Sequence, residues 1–211
     1  MRKSYLIIAA IIIISFIIGI YYYPKMPAQM ASHWNAAGDV NGYMPKFWGM
    51  FLMPIISVFV VLLLIFLPKL DPMRKNVEKF RKYFDNFIIL LAVFLLYLYI
   101  LTLIFNFGIR LDIIRFLAPA FAALFYYSGV LISHAKQNWF IGIRTPWTLS
   151  SSKNWEKTHK IGAKLFKISG LLCLFGIIFK DYAIFFILVP VLLSAVYLFV
   201  YSYVEFRKEK K

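Results

Sequence analysis

The run FIILLAVFLLYLYILTLIFNFGI, Phe87–Ile109, is typical of a transmembrane helix, because none of its 23 residues carries a charge. A transmembrane helix needs about 20 mostly apolar residues to cross the hydrocarbon core of a bilayer. Over the whole chain of 211 residues, 62% are apolar and 16% are charged, against about 45–50% and about 25% in soluble globular proteins. A domain of this size cannot bury so much apolar side chain, so the excess faces lipid. The sequence therefore excludes a soluble protein.

Five further runs have the length and apolarity of membrane spans, and the six runs predict an all-α integral membrane protein with six transmembrane helices. The predicted spans are Tyr5–Tyr23, Phe47–Leu67, Phe87–Ile109, Phe116–Ala135, Ile161–Phe179 and Tyr182–Val204. The first run follows Arg2 and Lys3, as the apolar region of a signal peptide would. Its 19 residues exceed the usual length of about 7–15 for such a region, so we interpret it as a membrane anchor.

The distribution of basic residues predicts the orientation of the spans. The N-terminus, 68–85, 136–167 and the C-terminus hold 19 Lys and Arg residues, whereas the alternate connections, 24–46, 110–115 and 180, hold 5. Cytoplasmic loops carry the excess of Lys and Arg. Both termini are therefore predicted to be cytoplasmic, and the formal charge of +15 indicates cytoplasmic loops rather than direct binding of nucleic acid.

Residues 24–46, which we call the cap segment, are predicted to form an ordered extracellular loop between helices 1 and 2. Twenty-three residues are more than a simple connection needs, and long ordered loops are usually functional. The dipeptides Gly38-Asp39 and Asn41-Gly42 favour turns, which predicts a compact cap with a short β-hairpin around 32–43.

We predict that the cap segment carries a recognition surface for a peptide ligand, since aromatic and amide groups on a rigid loop are typical of binding surfaces. The candidate residues are His33, Trp34, Asn35, Gly38, Gly42, Tyr43 and Lys46. The alternative interpretation is that Trp34 and Tyr43 belong to the interfacial aromatic belt and that His33 stabilises the loop internally.

Residues 138–159, which we call the basic segment, are predicted to lie on the cytoplasmic side. Gly142 and Pro146 interrupt a helix on either side of Arg144, whose planar guanidinium can bind carbonyl oxygens or a lipid phosphate. Ser152 is the predicted N-cap of a helix that continues into the fifth span, with Glu156 in its first turn. The candidate residues of the basic segment are Asn138, Gly142, Arg144, Thr145, Pro146, Thr148, Trp155 and His159.

The sequence offers little for metal binding or catalysis. His134, Glu156 and His159 lie on one side of the membrane and could bind zinc in principle, but such residues in a basic loop are more often ordinary surface groups. No Gly-rich phosphate loop, Ser–His–acid set or paired intramembrane carboxylates are evident. We therefore predict a protein without metal or cofactor that is not an enzyme, and the uncharged span centres disfavour a proton-coupled transporter.

The cap segment and the basic segment resemble the two signatures of the SdpI-like family of bacterial and archaeal membrane proteins. The first resembling stretch is Pro27…His33-Trp34-Asn35…Gly38…Gly42-Tyr43…Lys46, and the second is Asn138…Ile141-Gly142-Ile143-Arg144-Thr145-Pro146-Trp147-Thr148…Trp155…His159. In the family pattern a proline commonly stands in place of Ala31 and an aspartate in place of Asn41. The resemblance implies an N-terminal membrane module of unknown function over 1–85 and an immunity module over 86–211.

The resemblance further implies a multi-pass cell membrane protein that gives resistance to a secreted antimicrobial toxin peptide outside the cell. It also implies recruitment of a transcriptional repressor at the inner face, so the expected partners are membrane lipids, a toxin peptide and a repressor protein. Two alternatives stay open. One is a membrane enzyme acting on lipid headgroups, with Arg144 binding phosphate and His134, Glu156 and His159 performing chemistry. The other is a small permease whose lumen is lined by Tyr97, Tyr99, Thr102 and Asn106.

Overall fold

A computed structural model describes residues 3–210 and confirms the prediction of an all-α membrane protein. Within these residues, six helical segments are long and apolar enough to cross a membrane. They are Lys3–Lys25, Lys46–Lys69, Arg81–Asn106, Ile113–His134, Ser152–Ile178 and Lys180–Glu209. Arg2 and Lys211, which contribute to the predicted charge asymmetry, lie outside the described residues.

The secondary structure elements follow in chain order. They are α1 (Lys3–Tyr22), β1 (Gln29–Trp34), β2 (Val40–Pro45), α2 (Lys46–Phe66), α3 (Arg74–Lys79), α4 (Arg81–Asn106), α5 (Ile113–His134), α6 (Pro146–Ser150), α7 (Ser152–Cys173), α8 (Phe175–Ile178) and α9 (Ala183–Glu209). Short 3-10 turns extend α1 and α2 and precede α9. Helices are expected in lipid because they satisfy their own backbone hydrogen bonds.

Two helices begin earlier than the charge-free runs indicated. The helix α4 begins at Arg81 rather than Phe87, and α7 begins at Ser152, ahead of the apolar run at Ile161 and within one residue of the helix start predicted from the N-cap. Charged residues end an apolar run but not a helix, so the polar first turns of α7 extend the helix beyond the hydrocarbon. The prediction of Ser152 as N-cap is wrong by one residue, because Ser151 is extended and its hydroxyl accepts the backbone N–H of Asn154 at 3.1 Å.

The helices pack as two groups that meet across a common core, which includes Phe84 of α4 and Trp155 of α7. Helices α1, α2 and α4 pack on one another, as do α5, α7 and α9, and α4 also packs against α5. The α5–α7 contact is close because both helices present glycines. A Cβ on Gly129 would lie 2.7 Å from the carbonyl oxygen of Ala163, and one on Gly170 would lie 2.7 Å from that of Ala122. Small residues at membrane helix contacts allow this approach of backbones.

The predicted hairpin of the cap segment is present and is longer than predicted. Strands β1 and β2 pair antiparallel, with His33 opposite Gly42 and Met30 opposite Met44. Gly38 has a φ of +87°, a backbone conformation that its lack of a Cβ permits in the connecting turn. The cap segment is thus an ordered structure at one end of the bundle, and the basic segment lies at the opposite end.

Candidate functional site

The amide side chain of Asn106, at the end of α4, joins the hairpin to the helices. Its Oδ1 accepts the backbone N–H of Ala31 at 2.8 Å, and its Nδ2 donates to the carbonyl oxygen of Ala31 at 3.0 Å. The Nδ2 also donates to the carbonyl oxygen of Thr102 at 2.9 Å within α4. A single side chain therefore pairs with β1 as a neighbouring strand would.

A methionine cluster beneath the hairpin supplies the apolar part of this attachment. Its buried members are Met26, Met30, Met50, Tyr99 and Leu103. Met30 is completely buried over Gly49 of α2, where an added Cβ would lie 2.7 Å from the Met30 sulfur. Because the hairpin rests on buried side chains and a bidentate amide, it is held as a rigid body on the bundle.

Asn35 forms the turn of the hairpin rather than an exposed contact. Its Oδ1 accepts the backbone N–H of Ala37 at 3.0 Å and of Asp39 at 2.9 Å, which is the self-pairing typical of asparagine in turns. The backbone N–H of Asn35 also donates to the carbonyl oxygen of Asp39 at 2.9 Å. With Gly38 in the left-handed conformation, these bonds fix the shape of the hairpin tip.

Trp34 is half-buried against α4. Its ring meets Phe105 edge to face, with 5.2 Å between the ring centroids. The indole Nε1 is buried and has no hydrogen-bond partner among residues 3–210. The tryptophan therefore packs the cap onto the helices.

His33 and Tyr43 are the predicted aromatic residues that the hairpin exposes. Tyr43 is 65% exposed, and His33 is exposed with its Nδ1 at 2.5 Å from the Oδ1 of Asn41. Gly42 allows the strands to approach here, since a Cβ on Gly42 would lie 2.9 Å from that of His33. Lys46 is half-buried, with its Nζ 5.4 Å from the ring centroid of Tyr23. The seven candidates thus divide into exposed groups and groups that shape the hairpin.

A polar cleft beside the hairpin tip was not predicted from the sequence. It has a volume of about 620 Å3 and separates the tip from the connection between α4 and α5. Its lining includes Gly38, Asp39, Tyr43, Arg110 and Asp112. Arg110 and Asp112 lie about 70 residues from the hairpin in sequence, so the sequence contains no local signal for this proximity.

Asn138 organises the start of the basic segment. It is completely buried, and its Nδ2 donates to the carbonyl oxygens of Lys136 and Ile141, both at 2.8 Å. Its Oδ1 accepts the backbone N–H groups of Phe140 at 2.9 Å and Ile141 at 2.7 Å. All four hydrogen-bonding positions of the amide are used within the chain. Asn138 is therefore a structural residue.

His159 also forms hydrogen bonds through both of its ring nitrogens. Its Nδ1 donates to the carbonyl oxygen of Trp155 at 2.9 Å, and its Nε2 accepts the backbone N–H of Ile143 at 3.1 Å. Its ring stacks on that of Trp155 at 3.9 Å, and the Trp155 Nε1 donates to the carbonyl oxygen of Ala135 at 2.8 Å. A Cβ on Gly142, which has a φ of +116°, would collide with the Nε2 of His159.

Thr145 and Thr148 begin α6 and connect it to α9. They form a reciprocal capping box, with Pro146 in the first turn of the helix. The Thr148 hydroxyl donates to the carbonyl oxygen of Ile143 at 2.8 Å, and that of Thr145 donates to the Ser202 hydroxyl at 3.0 Å. Ser202 could not be identified from the sequence, because its partner Thr145 lies 57 residues away.

Arg144 is the exposed charged residue of the predicted motif. Its Nη1 donates to the carbonyl oxygen of Trp139 at 2.9 Å, which is one of the two contacts expected for its guanidinium. Trp139 is itself 51% exposed, and its backbone N–H donates to the buried carboxylate of Asp71 at 2.9 Å. The basic segment thus presents Arg144 and Trp139 on a loop whose interior is fixed by hydrogen bonds.

The three residues considered for zinc lie around one cleft at this end. His134, Glu156 and His159 line it, but both ring nitrogens of His159 are already hydrogen-bonded. His134 stacks on Tyr83 at 3.6 Å and donates from Nδ1 to the carbonyl oxygen of Val130 at 2.9 Å. Within residues 3–210, no group of three or more His, Cys, Asp or Glu side chains is arranged to hold a metal ion.

Among residues 3–210, each of the four residues considered for a permease lumen lies in a packed or hydrogen-bonded contact. The Tyr97 hydroxyl donates to the carbonyl oxygen of Phe116, and Thr102 donates within α4. Tyr99 is 1% exposed, in a region between α1, α2 and α4 that has no space for a water molecule. Asn106 holds the hairpin, as described above. These positions therefore support packing rather than a pathway.

Two family models match the chain, one at each of the segments described above. Residues 10–58, which include most of α1 and the hairpin, match a domain of unknown function, DUF1648. Residues 134–202 match the SdpI/YfhL protein family. Immunity protein SdpI of Bacillus subtilis (strain 168) is 24% identical over 207 residues, which cover 98% of this chain and 97% of that protein. No solved structure matches the chain.

These matches confirm the resemblance to the SdpI-like family that the two segments predicted. The module of unknown function precedes the SdpI module in the predicted order. With its six candidate spans, the chain is a multi-pass protein of the cell membrane that is similar to an immunity protein.

Proposed function

We propose that this chain, which resembles Immunity protein SdpI along nearly its whole length, protects its cell against a secreted antimicrobial peptide that binds the cap segment. The observation that carries the proposal is the hairpin itself. It is a preformed structure, attached through Asn106 and Met30, that presents exposed polar and aromatic groups. A rigid surface loses little conformational entropy when it binds, so its contacts contribute fully to affinity.

Of the seven candidate residues, two belong to the proposed contact surface. His33 and Tyr43 are exposed and supply the direct contacts, and the adjacent cleft adds Arg110 and Asp39. Trp34, Asn35, Gly38 and Gly42 act indirectly by giving the hairpin its shape, and Lys46 borders it. Aromatic and arginine side chains are the residue types that most often dominate binding energy at interfaces.

The proposal requires the cap segment to be extracellular and the basic segment to be cytoplasmic, as the charge asymmetry predicts. Cysteine labelling tests this orientation with little background, since the native Cys173 is buried. Ala36→Cys at the exposed hairpin tip should react with an impermeant maleimide in intact cells. Ser150→Cys at the exposed end of α6 should react only after permeabilisation, and the reverse pattern would contradict the proposal.

A second part of the proposal concerns the cytoplasmic face. The basic segment presents Arg144 and Trp139 on a fixed loop, and this surface suits recruitment of a repressor protein. In this scheme residues 1–85 receive the peptide and residues 86–211 transmit its presence. Tryptophan and arginine side chains are again the residue types enriched in protein interfaces.

A binding role accounts for the geometry better than catalysis on lipid headgroups. His159 has no nitrogen left to move a proton, because the Ile143 N–H and the Trp155 carbonyl occupy both. If His159 is excluded, His134 and Glu156 are the two remaining titratable groups of the three considered for catalysis. General acid–base work needs a group within hydrogen-bond reach of the reacting atoms and free to exchange a proton.

Growth of the source strain in its own conditioned medium tests protection directly. A strain lacking the chain should be inhibited by this medium, and the wild-type chain should restore growth. Tyr43→Ala should raise sensitivity by about fivefold or more, as expected for a contact worth about 1 kcal/mol or more. Tyr21→Ala is the matched control, because Tyr21 is 64% exposed on α1 outside the hairpin.

Equal growth with and without the chain would contradict the immunity proposal. Equal protection by wild type and a His33→Ala, Tyr43→Ala double variant, at equal abundance in the membrane, would instead remove the cap segment as the contact surface.

A further inference from the structure

A basic cleft at the end of the bundle that carries the basic segment has no role in the proposed function. The cleft lies between the C-terminal end of α5 and α7, beside α3, and has a volume of about 590 Å3. Its charged lining consists of Lys79, Lys136, Lys160, Lys164, Lys167 and Glu156. We propose that this cleft binds the phosphate of an anionic membrane lipid.

The charge of the cleft calls for an anionic ligand. Five lysines and one glutamate leave four positive charges in excess. Within residues 3–210, none of these five lysines forms an ion pair, whereas the neighbouring Lys157 on α7 pairs with Glu205 of α9. Five ammonium groups around one cleft with a single carboxylate repel one another, and an anion bound among them removes that cost.

The extent of the cleft along the helix axis favours a lipid as the source of the phosphate. Lys160, Lys164 and Lys167 are spaced to lie on one face of α7, and they extend over about 10 Å along the helix axis. Gly129 of α5 packs beside Lys167, where an added Cβ would lie 2.8 Å from the lysine Cγ. Gly129 precedes the end of α5, His134, by five residues, or about 8 Å.

The lysine row therefore runs from the end of the bundle into the membrane. A charged side chain is costly at that depth unless it reaches the interface or meets an opposite charge. The phosphate of a neighbouring lipid supplies that charge at the boundary of the hydrocarbon, and basic pockets between transmembrane helices are known to bind such headgroups.

The remaining walls of the cleft suit the glycerol and upper acyl region of a lipid. Ile132, Ala135 and Ala163 line the cleft with apolar surface next to the lysines. Tyr83 and His134 form a stacked aromatic pair on one side. A soluble phosphate compound would use the ammonium groups alone, whereas a lipid uses both kinds of surface.

The binding test uses the full chain purified in detergent and titrated with phosphatidylglycerol or phosphatidylcholine. Retained lipid is counted by native mass spectrometry. Wild type should retain one phosphatidylglycerol and prefer it over phosphatidylcholine by about tenfold or more, as expected for several lysines near one phosphate. Equal retention of the two lipids would overturn the proposal.

Two triple variants separate the cleft from general surface charge. Lys160→Gln, Lys164→Gln, Lys167→Gln should lose phosphatidylglycerol affinity by about tenfold or more. The matched control, Lys69→Gln, Lys75→Gln, Lys153→Gln, removes the same charge from exposed positions outside the cleft and should keep wild-type affinity. An equal loss in both variants would show unspecific attraction and overturn the proposal.

Single substitutions keep the test decisive if the cleft triple does not fold. Lys164→Gln changes one exposed side chain and should weaken phosphatidylglycerol binding about threefold or more, while Lys153→Gln should leave it unchanged. Equal affinities of the two single variants would overturn the proposal.

Two soluble probes test the source of the anion. Displacement of the lipid by glycerol phosphate or by poly-glutamate at equal concentration would assign the cleft to a soluble phosphate or to an acidic protein segment instead.

Discussion

The cap segment and the basic segment use similar residues for different purposes. The hairpin is shaped by hydrogen bonds of its own backbone and turn, and it leaves His33 and Tyr43 exposed. Residues 138–144 of the basic segment, which precede α6, have no such regular pairing, so buried side chains must satisfy their backbone. The side chains of Asn138 and His159 therefore form hydrogen bonds with the backbone of this loop. A polar residue in a motif is thus free for a ligand only where the local backbone does not need it.

The largest loss of stability should follow from removing the buried side-chain amide of Asn138 in the basic segment. Asn138→Ala removes four hydrogen bonds and leaves buried backbone groups unpaired, so it should lower the free energy of unfolding by about 3–5 kcal/mol. Asn41→Ala on the exposed hairpin is the matched control and should cost less than about 1 kcal/mol. Unfolding in detergent, followed by tryptophan fluorescence, measures both. Similar losses for the two variants would remove the distinction between the segments.

Two glycines with a positive φ provide a second test of the difference between the basic segment and the hairpin. Gly142→Ala combines backbone strain with a collision against His159 and should cost about 2–4 kcal/mol. Gly38→Ala has the same kind of strain, but its nearest neighbour, an Asp112 oxygen, lies 3.9 Å from the added Cβ. We expect a cost of about 1 kcal/mol there. The same unfolding measurement ranks them, and a larger cost at Gly38 would contradict this account.

The attachment of the hairpin can be loosened without changing its exposed face. Asn106→Ala removes the two bonds to Ala31 and should cost about 1–2 kcal/mol, in the range measured for hydrogen bonds in membrane proteins. Amide exchange at Ala31 should become faster, while exchange at Asp39 in the turn should change little. Thr102→Ala, which loses one bond within α4, is the control. Unchanged exchange at Ala31 would show that the methionine cluster suffices.

The smallest expected effect on stability is at the exposed surface of the basic segment. Arg144→Lys keeps the charge but loses the planar group that reaches the Trp139 carbonyl, so unfolding should change by less than about 1 kcal/mol. Signalling through a repressor should nevertheless be impaired at normal membrane abundance. Lys153→Gln, at an exposed position on the same segment, is the control. Wild-type signalling by Arg144→Lys would restrict Arg144 to a general positive charge.

The six spans and the existence of the hairpin could be predicted from the sequence alone. Both are local properties, because apolar run length and turn dipeptides are read within one stretch of chain. The ends of the helices were less well predicted, as at the start of α4, which begins at Arg81 rather than Phe87, since a helix continues through polar turns beyond an apolar run.

Which motif residues are exposed depends on how the elements pack against one another. His33 and His159 both stand in the predicted motifs, yet one lies on a hairpin surface and the other between Ile143 and Trp155. The Asn106 attachment and the basic cleft likewise join elements that are distant in sequence. Their geometry depends on how closely α4 approaches the hairpin and α5 approaches α7, and this closeness is set by side-chain packing across many residues rather than by any one stretch of sequence.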